Sequence, residues 1–125
     1  MDELSHECGV AALYHLADGT RSTVFPGDPD LVTRLMPRML LDLQNRGQLA
    51  AGMSSYKPDR DQLLDTFKDV GPVAEAFRMS QAHKFESILE DYSGRAAIGH
   101  VRYATCGPTG RAYAQPFERR HGCRW

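Results

Sequence analysis

Apolar residues fall along this chain in two patterns, short runs that suit strands and spaced stripes that suit helices. Val10-Ala11-Ala12-Leu13-Tyr14 is an unbroken apolar run with mostly small side chains, the pattern of a buried strand. Ala50 to Tyr56 reads as a second strand, with small residues where another stretch of backbone passes close. Leu63 to Val70 is a weaker third strand, and Ala96 to Ala104 a fourth. Leu31, Val32, Leu35, Met36, Met39, Leu40 and Leu43 share one helical stripe. Asp28 and Pro29 suit its cap and first position, Pro37 should bend or break it, and Gly47 closes it as a C-cap. Pro72 to Phe77 predicts a short helix, and Phe85, Ile88, Leu89 and Tyr92, at i, i+3, i+4 and i+7, predict another. Turns fall at 18–20, 26–29, 57–59 and 93–94, and from Gly107 the chain reads as loop. The expectation is four strands with helices between them, some long enough for crossovers.

Composition narrows the class. The 125 residues are 42% hydrophobic and 25% charged, close to globular averages, which argues against disorder and for one domain or part of one. A formal net charge of −1 provides no general attraction to nucleic acid or an anionic membrane. Arg111, Arg119, Arg120 and Arg124 against Glu118 make a locally basic end, read as a solvated tail or an anion contact. No apolar stretch approaches the ~20 residues of a membrane span, and the N-terminus lacks the order of a secretion signal. Cys8, Cys106 and Cys123 are odd in number and far apart, with neither disulfide nor zinc spacing. A working thiol fits a reducing, cytoplasmic setting.

Chemistry concentrates at His6-Glu7-Cys8-Gly9-Val10. Cys8 stands at the mouth of the first strand, beside a glycine that lets other backbone approach. With Met1–Glu7 attached, its nitrogen is an amide without basicity. Freed of them, Cys8 would hold nucleophile and base together, since a free thiol titrates near ~8.5 and an α-amine near ~7.7–8.0. Position alone leaves this reading open beside that of a small buried hydrophobe.

Three stretches come in order with it: Leu43-Gln44-Asn45-Arg46-Gly47-Gln48 through Gly52, Gly99-His100-Val101-Arg102-Tyr103-Ala104-Thr105, and Ala114-Gln115-Pro116-Phe117. Together they resemble the class II, N-terminal-nucleophile glutamine amidotransferases, and most of all the amidotransferase domain of the amidophosphoribosyltransferases. The resemblance covers nearly the whole chain. It implies an α+β fold of the Ntn-hydrolase type, a four-layer αββα sandwich that is incomplete in this chain, with residues 1–7 a propeptide and 8–125 the N-terminal part of the domain. It implies Cys8 as nucleophile and Arg46 as an arginine held near it, which could equally serve as a helix C-terminal cation. Arg102 would receive the α-carboxylate of glutamine, and Tyr103 and Thr105 would line the glutamine pocket. No cofactor and no metal are implied in this stretch. The implied partners are glutamine, a downstream synthase domain that accepts the ammonia, and further copies of the complete enzyme in a homo-oligomer.

Asn45 stands where the family often has His, Leu49 where it has an acidic residue, and 106–110 differ from its Ser-rich loop. These departures bear on the acceptor more than on the glutaminase chemistry. Cys106 is a second thiol near the implied site, or a bystander. The Asn-Gly pair that supplies the family's oxyanion hole, and the Asp that grips the glutamine amine, do not occur before Trp125, so these residues alone are expected to have little glutaminase activity. The alternatives are a non-catalytic binding or assembly domain on the same strands and, against the ligand spacing, a zinc module.

Overall fold

A computed structural model describes residues 7–16, 22–104, 110–122 and 124. Within them β1 (Gly9–Tyr14), β2 (Ala50–Tyr56), β3 (Leu64–Val70) and β4 (Ala96–Arg102) form one sheet in the order β1-β4-β2-β3. All neighbours are antiparallel, and the non-consecutive neighbours β1-β4 and β4-β2 are the crossovers expected of the longer connections. β4 lies between β1 and β2, with Val101 facing Gly9 on one side and Ala51 on the other. The last strand ends at Arg102, two residues earlier than its apolar pattern predicts.

The long helical stripe becomes two segments. Asp28 caps the first by accepting the Asp30 N–H at 2.9 Å, and Pro29–Leu35 winds as a 3-10 helix. α1 (Met36–Asp42) follows, with Pro37 in its first turn, where a missing N–H leaves no partner unsatisfied. The break therefore falls just before the proline. A single 3-10 turn, Gln44–Arg46, leads to Gly47, whose φ of −170° is extended. Gly47 is thus not a left-handed helix cap, and its role is steric. α2 (Val73–Ala76) and α3 (Ala82–Asp91) occupy the two later helical stretches.

Strand alternation puts Ala11, Leu13, Ala51, Met53, Phe67, Ala97 and Val101 on one face of the sheet. There they pack with Met36 and Leu40 of α1, Val73 and Ala76 of α2, and Phe77, with Phe85 and Ile88 of α3 at the margin. α1 lies so close to β4 that a Cβ at Gly99 would stand 2.5 Å from Met36 Sδ.

The opposite face is only partly covered. Residues 114–117 cross β2 and β3, and a Cβ at Gly52 would stand 2.5 Å from the Gln115 carbonyl oxygen. This is the close backbone passage that the small residues of β2 predict. Lys68 Nζ donates to the Ala114 carbonyl at 2.8 Å and lies 4.4 Å from the Phe117 ring centroid. Desolvation, and then Arg111, lower its pKa, with Glu118 opposing them. Thr66 Oγ1 donates to Glu118 at 2.8 Å. The loop expected after Gly107 is therefore pinned to the sheet between Arg111 and Glu118. Nearer β1 the face is open and apolar, with Val10, Tyr14 and Ile98 all exposed.

Hydrogen bonds from buried or half-buried polar groups hold the connections. Arg60, in the turn between β2 and β3, donates to the carbonyl oxygens of Ser55, Gln62, Leu63 and Ser93. Arg95 pairs with Asp30 at 2.8 Å, which ties the start of β4 to the 3-10 segment.

Phe77 is fully buried and its ring lies 5.1 Å from that of Phe67. Phe77→Ala is expected to lower stability by about 3–5 kcal/mol. Phe117→Ala, at an exposed ring, should lower it by no more than about 1 kcal/mol. Equilibrium urea unfolding followed by circular dichroism measures both.

Candidate active site

The Arg102–Tyr103 peptide group is where the distant motifs meet. A Cβ on Gly47 would stand 2.5 Å from the Arg102 carbonyl carbon and 2.8 Å from the Tyr103 nitrogen, so only a residue without a side chain packs there. Beyond it, the Leu49 N–H donates to the Arg102 carbonyl at 3.1 Å, carrying the ladder from β4 into the start of β2. On the β1 side, the Tyr103 N–H donates to Cys8 Sγ at 3.4 Å, and the thiol faces the Tyr103 carbonyl at 3.5 Å. Cys8 is exposed and free, so its sulfur is oriented by main chain yet open to a ligand.

Arg46 reaches the same place from the 3-10 turn. Its Nε donates to the Cys8 carbonyl oxygen at 3.4 Å, and its Nη2 pairs with the Glu7 carboxylate at 3.1 Å. Gly9 lets β4 and the end of α1 close on the start of β1, because a Cβ there would stand 2.8 Å from Val101 Cγ2 and 3.2 Å from Leu43 Cβ. Arg46 thus lies in the last turn of its 3-10 segment and beside Cys8.

Cys8, Arg46, Arg102 and Tyr103 are brought together, although they come from the chain start, the turn before β2 and the end of β4. Thr105 lies outside the described residues, as do His6, Cys106 and Cys123. Among the described residues no group of three His, Cys, Asp or Glu side chains is arranged to hold a metal ion. No helix among them is long and apolar enough to cross a membrane.

Sequence reasoning passed over His100. It precedes Arg102 by two residues on β4, so the two side chains share a face, and it pairs across the sheet with Val10 and Gly52. His100 is buried and its Nδ1 has no hydrogen-bond partner among the described residues. Burial, and then the positive charge of Arg102, hold its pKa below the ordinary 6.5, which keeps the ring neutral at pH 7. Its two-residue spacing from Arg102 was the signal available. Nothing in the residue string, however, marks that position as enclosed.

No protein-family model matches the chain. Individual relatives do. Amidophosphoribosyltransferase 1 of Arabidopsis thaliana, a chloroplastic protein, is 38% identical over 111 residues, which are 89% of this chain and 16% of the relative. The Synechococcus elongatus amidophosphoribosyltransferase is 36% identical over 92% of this chain and 19% of its own length. That of Archaeoglobus fulgidus is 34% identical over 88% and 19% respectively. The chain is a homologue of the amidophosphoribosyltransferases. It spans less than a fifth of the length of these relatives. The solved glutamine phosphoribosylpyrophosphate amidotransferase of Bacillus subtilis superposes on 90% of the chain with a TM-score of 0.51 and 26% identity. The fold is therefore of the Ntn-hydrolase type. Among the described residues it supplies one sheet and one helical layer of the four-layer sandwich.

Two outcomes are expected of this geometry. Gly47→Ala must push the 47–49 segment off the Arg102–Tyr103 peptide, at about 1–3 kcal/mol of stability, with loss of the order that holds Cys8 Sγ. Urea unfolding and thiol-reagent kinetics at Cys8 measure the two effects. At His100 the neutral ring is the form the fold accommodates, so the unfolded chain takes up the proton first as pH falls. Its contribution to stability is complete above the ordinary value of 6.5 and is lost as pH drops through the lower folded-state value. Unfolding measured at pH 7.5 and 5.5 should show this fall, and His100→Gln should reduce it.

Proposed function

We propose that this chain is the glutaminase part of a glutamine amidotransferase whose ammonia goes to phosphoribosyl pyrophosphate in purine synthesis. The observation that carries the proposal is the convergence of Cys8 Sγ, the Arg46 guanidinium and the Arg102–Tyr103 main chain at one point, from three stretches far apart in sequence. The phosphoribosyl acceptor rests on the names of the relatives and on the Bacillus subtilis structure. It would be handled by parts of the complete protein other than these residues.

In this reading residues 1–7 are removed and Cys8 becomes the first residue. Its α-amine takes the thiol proton as Sγ adds to the side-chain carbonyl carbon of glutamine. The C–N bond breaks, the nitrogen leaves as ammonia with the proton returned by the amine, and a glutamyl thioester remains. Water then hydrolyses the thioester, freeing glutamate and the thiol. Arg102 binds the α-carboxylate of glutamine through the planar fork of its guanidinium, and Tyr103 and Thr105 line the pocket. The developing oxyanion needs donors, and removing one such donor lowers a rate by about 10²–10³. The family's Asn-Gly donors are absent from these 125 residues, so the isolated chain has little activity. The open apolar face around Val10, Tyr14 and Ile98 is where the second sheet of the sandwich packs in the complete protein.

A glutamine mimic that alkylates nucleophilic thiols tests the assignment. Incubation of the complete, processed protein with 6-diazo-5-oxo-norleucine is expected to leave its adduct on Cys8, read by peptide mapping. An unmodified Cys8 overturns the nucleophile. Cys8→Ala should lower glutaminase kcat/KM by at least about 10³-fold. Arg102→Lys should raise KM for glutamine by about tenfold or more, through loss of the paired hydrogen bonds to the carboxylate.

A further inference from the structure

We infer that Arg46 is the positioning residue for removal of residues 1–7, and that it works by holding the Glu7 carboxylate on one side of the bond to be cut and the Cys8 carbonyl on the other. The inference rests on the proposal that Cys8 must become the first residue. One guanidinium makes both contacts, to Glu7 at 3.1 Å and to the Cys8 carbonyl oxygen at 3.4 Å. The Glu7–Cys8 peptide bond lies between these two anchored groups. The thiol of the same residue is anchored a third way, by the Tyr103 main chain at 3.4 and 3.5 Å. The rotations that decide whether Sγ faces the Glu7 carbonyl carbon are therefore restrained from three directions.

The step itself balances within these atoms and one water. Sγ adds to the Glu7 carbonyl carbon, the C–N bond to Cys8 breaks, and the Cys8 nitrogen leaves as an α-amine carrying the thiol proton. The acyl group now rides on sulfur as a thioester. Water hydrolyses it, releasing a leader that ends in the Glu7 carboxylate and restoring the thiol. Arg46 restrains the chain on both sides of the reacting bond, which lowers the rotational freedom an intramolecular reaction must give up. Its Glu7 partner departs with the leader. The guanidinium keeps its contact with the Cys8 carbonyl oxygen in the mature chain.

Glu7 isolates the effect, because it is absent from the mature protein and cannot alter the later chemistry. The complete protein, made by cell-free synthesis with protease inhibitors, is followed by intact mass for loss of residues 1–7. Glu7→Gln keeps the size of the side chain and removes its charge. It is expected to slow maturation about three- to fivefold, the scale of an exposed ion pair, with the gap from wild type closing as salt rises to about 1 M. The mature product should hydrolyse glutamine at the wild-type rate per mole. Equal maturation rates at low salt, or a gap that salt leaves unchanged, overturn the role of Arg46 and leave the Cys8 nucleophile standing. A wild-type chain that keeps residues 1–7 and still hydrolyses glutamine overturns the reading of Cys8 itself.

Discussion

The contact between Gly47 and the Arg102–Tyr103 peptide group sets the geometry on which the rest of this site depends. With no Cβ to hold the two segments apart, the turn after α1 lies directly on the end of β4. The Leu49 N–H then finds the Arg102 carbonyl, which starts β2 in register beside β4. The same peptide group offers the Tyr103 N–H to Cys8 Sγ. One close approach therefore sets strand register, turn position and thiol orientation at once.

The sheet and its helices serve that point. β4 is central to it, paired with β1 and β2, and carries Arg102 and His100 on the face away from the helices. The helical face is filled by Met36, Leu40, Val73, Ala76 and Phe77, which anchors the sheet on one side. The other side carries polar and half-buried groups, the segment 114–117 over β2, and the open apolar patch near β1. The sheet thus has one packed face and one that is only partly covered. The single thioester cycle proposed for Cys8 needs little else from these residues than orientation and an anchored arginine.

Much of the fold was legible in the residue string. Among the described residues, apolar runs and stripes located the four strands and the three α-helices, because burial imposes a period of two or 3.6 on any element with one dry face. The Asp28-Pro29 cap and the break near Pro37 also followed from local chemistry. Strand pairing did not, since antiparallel neighbours such as Val10 and His100 lie 90 positions apart and nothing local links them. Gly47 was misread for a related reason. A glycine after a helix suggests a left-handed cap, whereas here its backbone is extended and its purpose is the approach of a segment far along the chain.

The site divides the same way. Cys8, Arg46, Arg102 and Tyr103 were marked by the resemblance that the ordered motifs carry. Their convergence, the pairing of Arg46 with Glu7, the enclosure of His100 and the carbonyl cluster around Arg60 belong to the tertiary structure. Composition and local order settle what each residue can do and which short element it joins. Which groups touch is decided by long-range packing, since a contact's energy depends on distance and burial in space, and separation along the chain predicts neither.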